Sequence, residues 1–150
     1  MISQDTISSD LIEIKASREY VWDVLVNFEN YGAWNQFCPH CESDLVLGAP
    51  IKMQVDLGFG LQEQTEKICL ILAPEAIAWK MDAKPADPIH ATRTQYLEKL
   101  DEHRCSYQSV DIFSGSALAE LMQVMAKPIE DGFNLCGYGL KTYCEGLYRR

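Results

Sequence analysis

The chain has 150 residues, a 47% apolar share and a formal net charge of −9, from 13 Lys and Arg against 22 Asp and Glu. That length buries roughly two thirds of the surface the unfolded chain exposes, enough for a single domain over residues 1–150 whose core needs no metal or disulfide. The acidic balance without a basic patch excludes nucleic acid and anionic membrane surfaces as partners.

The first residues, MISQDTISSD, lack the basic start and apolar run of an export signal. The longest apolar runs, such as ICLILA at 68–73, fall far short of the roughly 20 residues of a membrane-spanning helix. Cytoplasmic localisation is therefore expected, with the cysteines at 38, 41, 69, 105, 136 and 144 reduced and mostly acting as small hydrophobes.

Residues 7–15 end in the apolar positions Leu11, Ile12 and Ile14 of a strand. Ser17 then offers an N-cap, Glu19 sits in the first turn, and Val21, Trp22, Leu25 and Phe28 form one helical stripe. Asn30, Tyr31 and Gly32 interrupt it, and residues 31–37 read as a second short helical turn. From about residue 41 the pattern becomes short alternating segments: LVLG (45–48), a Pro50-led run through 57, the Gly58-Phe59-Gly60 turn, 61–72, Pro74-Glu75, and 76–82. After the loop 84–88, two long strands meet at the polar turn 101–104, and Ser114-Gly115-Ser116 closes the sheet.

From Ala117 onward Leu118, Leu121, Met122, Met125, Ile129, Phe133, Cys136, Leu140, Cys144 and Leu147 mark one long amphipathic helix. Pro128 should bend it, and Gly132, Gly137 and Gly139 should weaken its middle. A long antiparallel sheet twists and curls, and such a helix is the natural cover for its concave face. The predicted fold is α+β: about six or seven curved antiparallel strands wrapped around a long C-terminal helix, with two short helices after the first strand.

That order, with particular residues, resembles the helix-grip (SRPBCC, START-like) superfamily, which holds the polyketide cyclase/dehydrase family, START lipid-transfer domains and the birch-pollen allergen proteins. The likeness runs from about residue 7 to 147. It rests on Ala16-Ser17 with Val21-Trp22 and Leu25, Phe28-Glu29-Asn30-Tyr31 with Trp34-Asn35 and Phe37, Leu47-Gly48, and Pro74 with Trp79. Residues 111–115, Gly132-Phe133-Asn134 and Leu140-Lys141 continue it. Gln36 stands where the family often has Pro, and Asp111 where it commonly has Glu. The resemblance implies a cavity between sheet and helix for a small hydrophobic molecule. It implies no reaction, because one fold hosts carriers, receptors and enzymes.

Within that frame, Met53 and Val55 on one strand, with Leu57, and Trp79 and Met81 on another, with Ile77, share a parity that could face the concave side. Tyr107, Ser109 and Asp111 alternate together, and Met122, Met125 and Phe133 come from the helix. The expected ligand-binding set is Met53, Val55, Trp79, Met81, Tyr107, Asp111, Met122, Met125 and Phe133, with Asp111 the main ionisable group. A structural alternative pairs Asp111 with Arg93 or His90 on the neighbouring strand, whose inward face is left open by the pattern.

Three functions remain. The first is binding or transport of a small hydrophobic ligand, lipid-like or polyketide-like, with no cofactor and no metal; a homodimer is left open. The second is a cyclase/dehydrase-type enzyme in which Asp111, Tyr107 or His90 moves a proton. The third is a redox or zinc module built on Cys38-Pro39-His40-Cys41. Against the third, the motif follows a helix rather than preceding one, where the dipole disfavours a thiolate, and no second paired motif supplies zinc ligands.

Overall fold

The computed structural model describes residues 1–150. In chain order the elements are β1 (Thr6–Ser8), β2 (Ile12–Ile14), α1 (Arg18–Val26), a 3-10 helix (Phe28–Ala33), β3 (His40–Glu42), β4 (Pro50–Asp56), β5 (Leu61–Leu72), β6 (Ala76–Met81), β7 (His90–Asp101), β8 (Arg104–Ser114) and α2 (Leu118–Leu147). The eight strands make one antiparallel sheet in the order β1-β8-β7-β6-β5-β4-β3, with β2 also on β8. No helix is long and apolar enough to cross a membrane.

The eight strands include two that the residue pattern hides. The first predicted strand is broken at Ser9, whose backbone N–H donates to Ser109 O (2.9 Å) while its hydroxyl accepts from Ser109 N–H (2.9 Å). A side chain thus replaces a ladder partner and the strand kinks. The other is β3, three residues paired with β4 directly after the cysteine motif. Conversely LVLG is no strand. Leu45 and Gly48 adopt positive φ (55° and 82°), and the segment turns back so that Gly48 N–H reaches Ile68 O at 2.8 Å.

The second short helical turn falls at Phe28–Ala33 rather than over 31–37, so Phe28 belongs to it and not to α1; other local signals hold. Ser17 caps α1 by accepting the Tyr20 N–H at 3.2 Å, and the Asp56 carboxylate accepts the Gly58 and Gly60 N–H groups in the β4–β5 turn (2.8 and 3.3 Å). α2 runs unbroken through Pro128 and buries Ala126, Gly132, Phe133, Cys136, Gly137, Leu140 and Cys144 against the sheet. It is tied to the β1–β2 edge by polar bonds: Asn134 Oδ1 accepts Asp10 N–H (2.7 Å), Tyr138 donates to Asp10 Oδ2 (2.7 Å), and Lys141 Nζ donates to Glu13 O (2.7 Å). These directional contacts set where along the concave face each turn of α2 lies.

Candidate functional site

Strand alternation decides what the concave face presents. β4 buries Ile51, Met53 and Val55; β8 buries Cys105, Tyr107, Ser109, Asp111 and Phe113. On β7 the register with β8 sets Arg93 opposite Asp111 and Gln95 opposite Ser109, so the inward face is Arg93, Gln95 and Leu97. His90, of the other parity and half-buried at the strand's start, does not line the interior cavity and is set apart from the cluster of Tyr107 and Asp111.

Between this face and α2 lies a cavity of about 80 Å³ lined by Phe37, Met53, Val55, Leu57, Gln64, Glu66, Trp79, Arg93, Asp111, Ile129 and Phe133. Several surface clefts are larger, up to about 560 Å³, but none of these brings Arg93 and Asp111 together. The interior is small because aromatic rings fill it. Phe37 meets Phe133 edge to face at 5.7 Å, and the Arg93 guanidinium lies over Phe133 (4.3 Å), Phe37 (5.5 Å) and Trp79 (5.8 Å).

Arg93 is 7% exposed and Asp111 is 9% exposed. Arg93 Nε donates to Ser109 Oγ at 2.7 Å, yet its Nη2 has no partner, and neither has Asp111 Oδ1. The two residues face each other across the β7–β8 ladder without an ion pair. Arg93 remains a cation: burial pulls its pKa down, but Tyr107, Cys136 and Asp111 outweigh it and raise it. Asp111 is pushed up to about 7, chiefly by burial and further by Glu66, against the opposing pull of Arg93. Glu66 is itself raised by burial.

Met53, Val55, Trp79, Asp111 and Phe133 therefore meet at one cavity. Met81 does not: it ends β6 and is 39% exposed, so the parity it shares with Trp79 runs past the edge of the cover. Met122 and Met125 sit one to two turns of α2 before the cavity, where Ile129 and Phe133 take the place expected of them. Tyr107 lies in the same layer but is sealed off, fully buried with its hydroxyl donating to Gln95 Oε1. Missed from the residue pattern were Glu66 and Gln64 on β5, Phe37, Ile129, and the centrality of Arg93. For Arg93 the signal was present in a lone cation among alternating polar residues of a strand.

Cys38 and Cys41 do follow the 3-10 helix, but the helix end does not decide the thiol. Cys38 is lowered below its ordinary value, first by a hydrogen bond with Cys41, then by Arg93, against the upward push of burial; Cys41 is raised in consequence. In the structure the Cys38 Sγ donates to His40 O at 3.4 Å. For zinc the geometry is adverse: His40 is exposed while Cys41 on the adjacent parity is buried, and no group of three His, Cys, Asp or Glu converges. Both thiols are nearly inaccessible, at 3% and 8% exposure, whereas Cys69 is exposed. Ellman's reagent should thus label Cys69 fast, that phase disappearing in Cys69→Ser, with the other thiols reacting only on unfolding. Insulin reduction by the wild type should be no faster than by Cys38→Ser, and turnover lost in that variant would reveal an active dithiol.

No family model and no curated protein sequence matches the chain. Solved structures do. An aromatase/cyclase, Zhui, from Streptomyces sp. R1128 is 15% identical over 96% of this chain and 98% of its own, with a TM-score of 0.67. Norcoclaurine synthase from Thalictrum flavum, solved with dopamine and hydroxybenzaldehyde, is 13% identical over 97% and 88%, with a TM-score of 0.70. A START superfamily protein from Mycobacterium smegmatis is 14% identical over 91% and 99%, with a TM-score of 0.63. At such identities the likeness carries architecture alone, and with the curved sheet closed on α2 it establishes that this chain has the helix-grip fold of the START-like proteins.

Proposed function

We propose that the protein binds a small, largely apolar molecule in the cavity between the sheet and α2. The observation that carries this reading is the pairing of an aromatic-walled space with two buried polar atoms, Arg93 Nη2 and Asp111 Oδ1, that no protein group satisfies. Leaving such groups unpaired is costly, on the order of 1–3 kcal/mol each, unless a bound molecule or water completes them. At about 80 Å³ the space suits a molecule of few heavy atoms. A binding site of this kind serves a carrier or receptor.

A second reading has its own observation. An Asp111 carboxyl titrating near neutrality inside the cavity is suited to general acid–base work, as a cyclase/dehydrase-type reaction would need. Tyr107 and His90 have no place in it, one sealed and the other turned away.

The binding reading is tested with 1-butanol, a neutral amphiphile, followed by NMR. Saturable shifts are expected at the Trp79 indole, at Val55 and at Ile129. Ile129→Trp should fill the space, weakening binding about tenfold at a stability cost below about 1 kcal/mol, whereas a solid core would lose about 1–3 kcal/mol to overpacking. A wild type that binds no probe, with a variant that melts far lower, would end this reading.

A further inference from the structure

We propose, building on the ligand-binding reading above, that the molecule this cavity takes is a small carboxylate, its head on Arg93 Nη2 beside Asp111 and its apolar body against Trp79 and Phe133. Arg93 is the only buried residue that carries positive charge. Its guanidinium is held by Ser109 and by three aromatic rings, so the cation is fixed in place, and at no point does a protein carboxylate close on it within ion-pair distance. A fixed, dehydrated guanidinium with a free nitrogen suits an anion, since its hydrogen-bonding direction is already set when a carboxylate reaches it.

The surroundings select among anions. Asp111 on β8 and Glu66 on β5 both border the cavity, and whatever negative charge they carry disfavours a dianion such as phosphate more than a monoanion. A monoanion is tolerated because it can share one proton with Asp111, whose Oδ1 is unpartnered. The remaining lining, Phe37, Met53, Val55, Leu57, Trp79, Ile129 and Phe133, contacts a hydrocarbon body. Binding of the anion is thereby linked to a proton. With Asp111 titrating at about 7, affinity should be highest below neutrality and fall as pH rises through that value, by up to about tenfold per pH unit above it. The charged groups that face Asp111 are Arg93 from β7 and Glu66 from β5; β1 sets Ile7 opposite it, and α2 contributes Ile129 and Phe133, none of which titrates.

The experiment compares butyrate with 1-butanol on the wild-type chain by NMR titration at about pH 6 and about pH 8.5. Butyrate is expected to bind at least about tenfold tighter than butanol at the lower pH, the size of one charge-assisted hydrogen bond, and to lose that advantage at the higher pH while butanol is unchanged. Asp111→Asn should remove most of the pH dependence, and Arg93→Gln should remove the preference for butyrate. Because replacing buried Arg93 can unfold the chain, the wild-type comparison at two pH values decides by itself. If butanol binds and butyrate binds no better at either pH, the carboxylate assignment is overturned while the apolar site stands. If neither binds, and water alone completes Arg93 and Asp111, both readings fall.

Discussion

Gly139→Ala is expected to destabilise the protein by about 2 kcal/mol or more, against the gain of up to about 1 kcal/mol that alanine brings to an unobstructed helix interior. A methyl at this position of α2 would overlap the Trp34 carbonyl oxygen far inside van der Waals contact, with the Trp34 carbonyl carbon 3.6 Å away. That carbonyl cannot step aside. Trp34 is buried, and the next residue, Asn35, is buried too and anchors the turn into the cysteine motif by accepting the Cys38 N–H at 2.8 Å. Gly146→Ala is the matched control, since nothing lies within 4 Å of its added methyl, and it should be neutral or stabilising by a few tenths of a kcal/mol. At roughly 2–4 °C per kcal/mol, a thermal melt should drop by about 4–8 °C for Gly139→Ala and hold or rise for Gly146→Ala. Equal melts would mean that α2 does not press on the Trp34 segment as closely as the fold requires.

Asp111→Asn is expected to raise stability above neutrality and to leave it nearly unchanged near pH 4. Burial raises this carboxyl from 3.8 to about 7, so the folded chain holds the proton more tightly than the unfolded one. The stabilisation it contributes is fully present below the unfolded value and is lost as pH rises through about 7. Roughly three pH units at about 1.4 kcal/mol each make the loss on the order of 4 kcal/mol, an upper figure because water entering the cavity would reduce it. Asparagine is nearly isosteric and has no proton to lose. Glu66, raised in the same direction, keeps a residual slope in the variant. Urea denaturation at about pH 4, 6 and 8 reads the effect. A variant weaker than wild type at pH 8 would show that ionised Asp111 is satisfied inside the protein, by Arg93 or otherwise, and that the cavity has no vacant polar partner to offer.

Where a feature depends on a period or on a neighbouring residue, the amino-acid sequence determined it. The Ser17 cap, the alternation of Ile51, Met53 and Val55, the matching alternation from Cys105 to Phe113, and the three-and-four stepping of α2 all arise within a few residues of chain. That was enough for the helix-grip architecture and for five of the residues at the cavity. What it could not contain was depth and partnership. The break at Ser9 depends on Ser109, 100 residues away. The helical stripe defines a face of α2 but not its height over the sheet. That height follows from Gly132 against the Phe37 ring, Gly137 against Ile12 and Tyr107, and Gly139 against Trp34, so glycines that read as weak points in a helix are its docking surface. The same docking sets Ile129 over the cavity in place of Met122 and Met125, and leaves Met81 in solvent. Arg93 alternates with threonines on β7, a pattern compatible with either face, and only the ladder with β8 turns it inward. Tertiary structure alone decided the site's charge, because whether a guanidinium, a carboxyl or a thiol is desolvated and what lies within reach of it depend on residues distant in the chain.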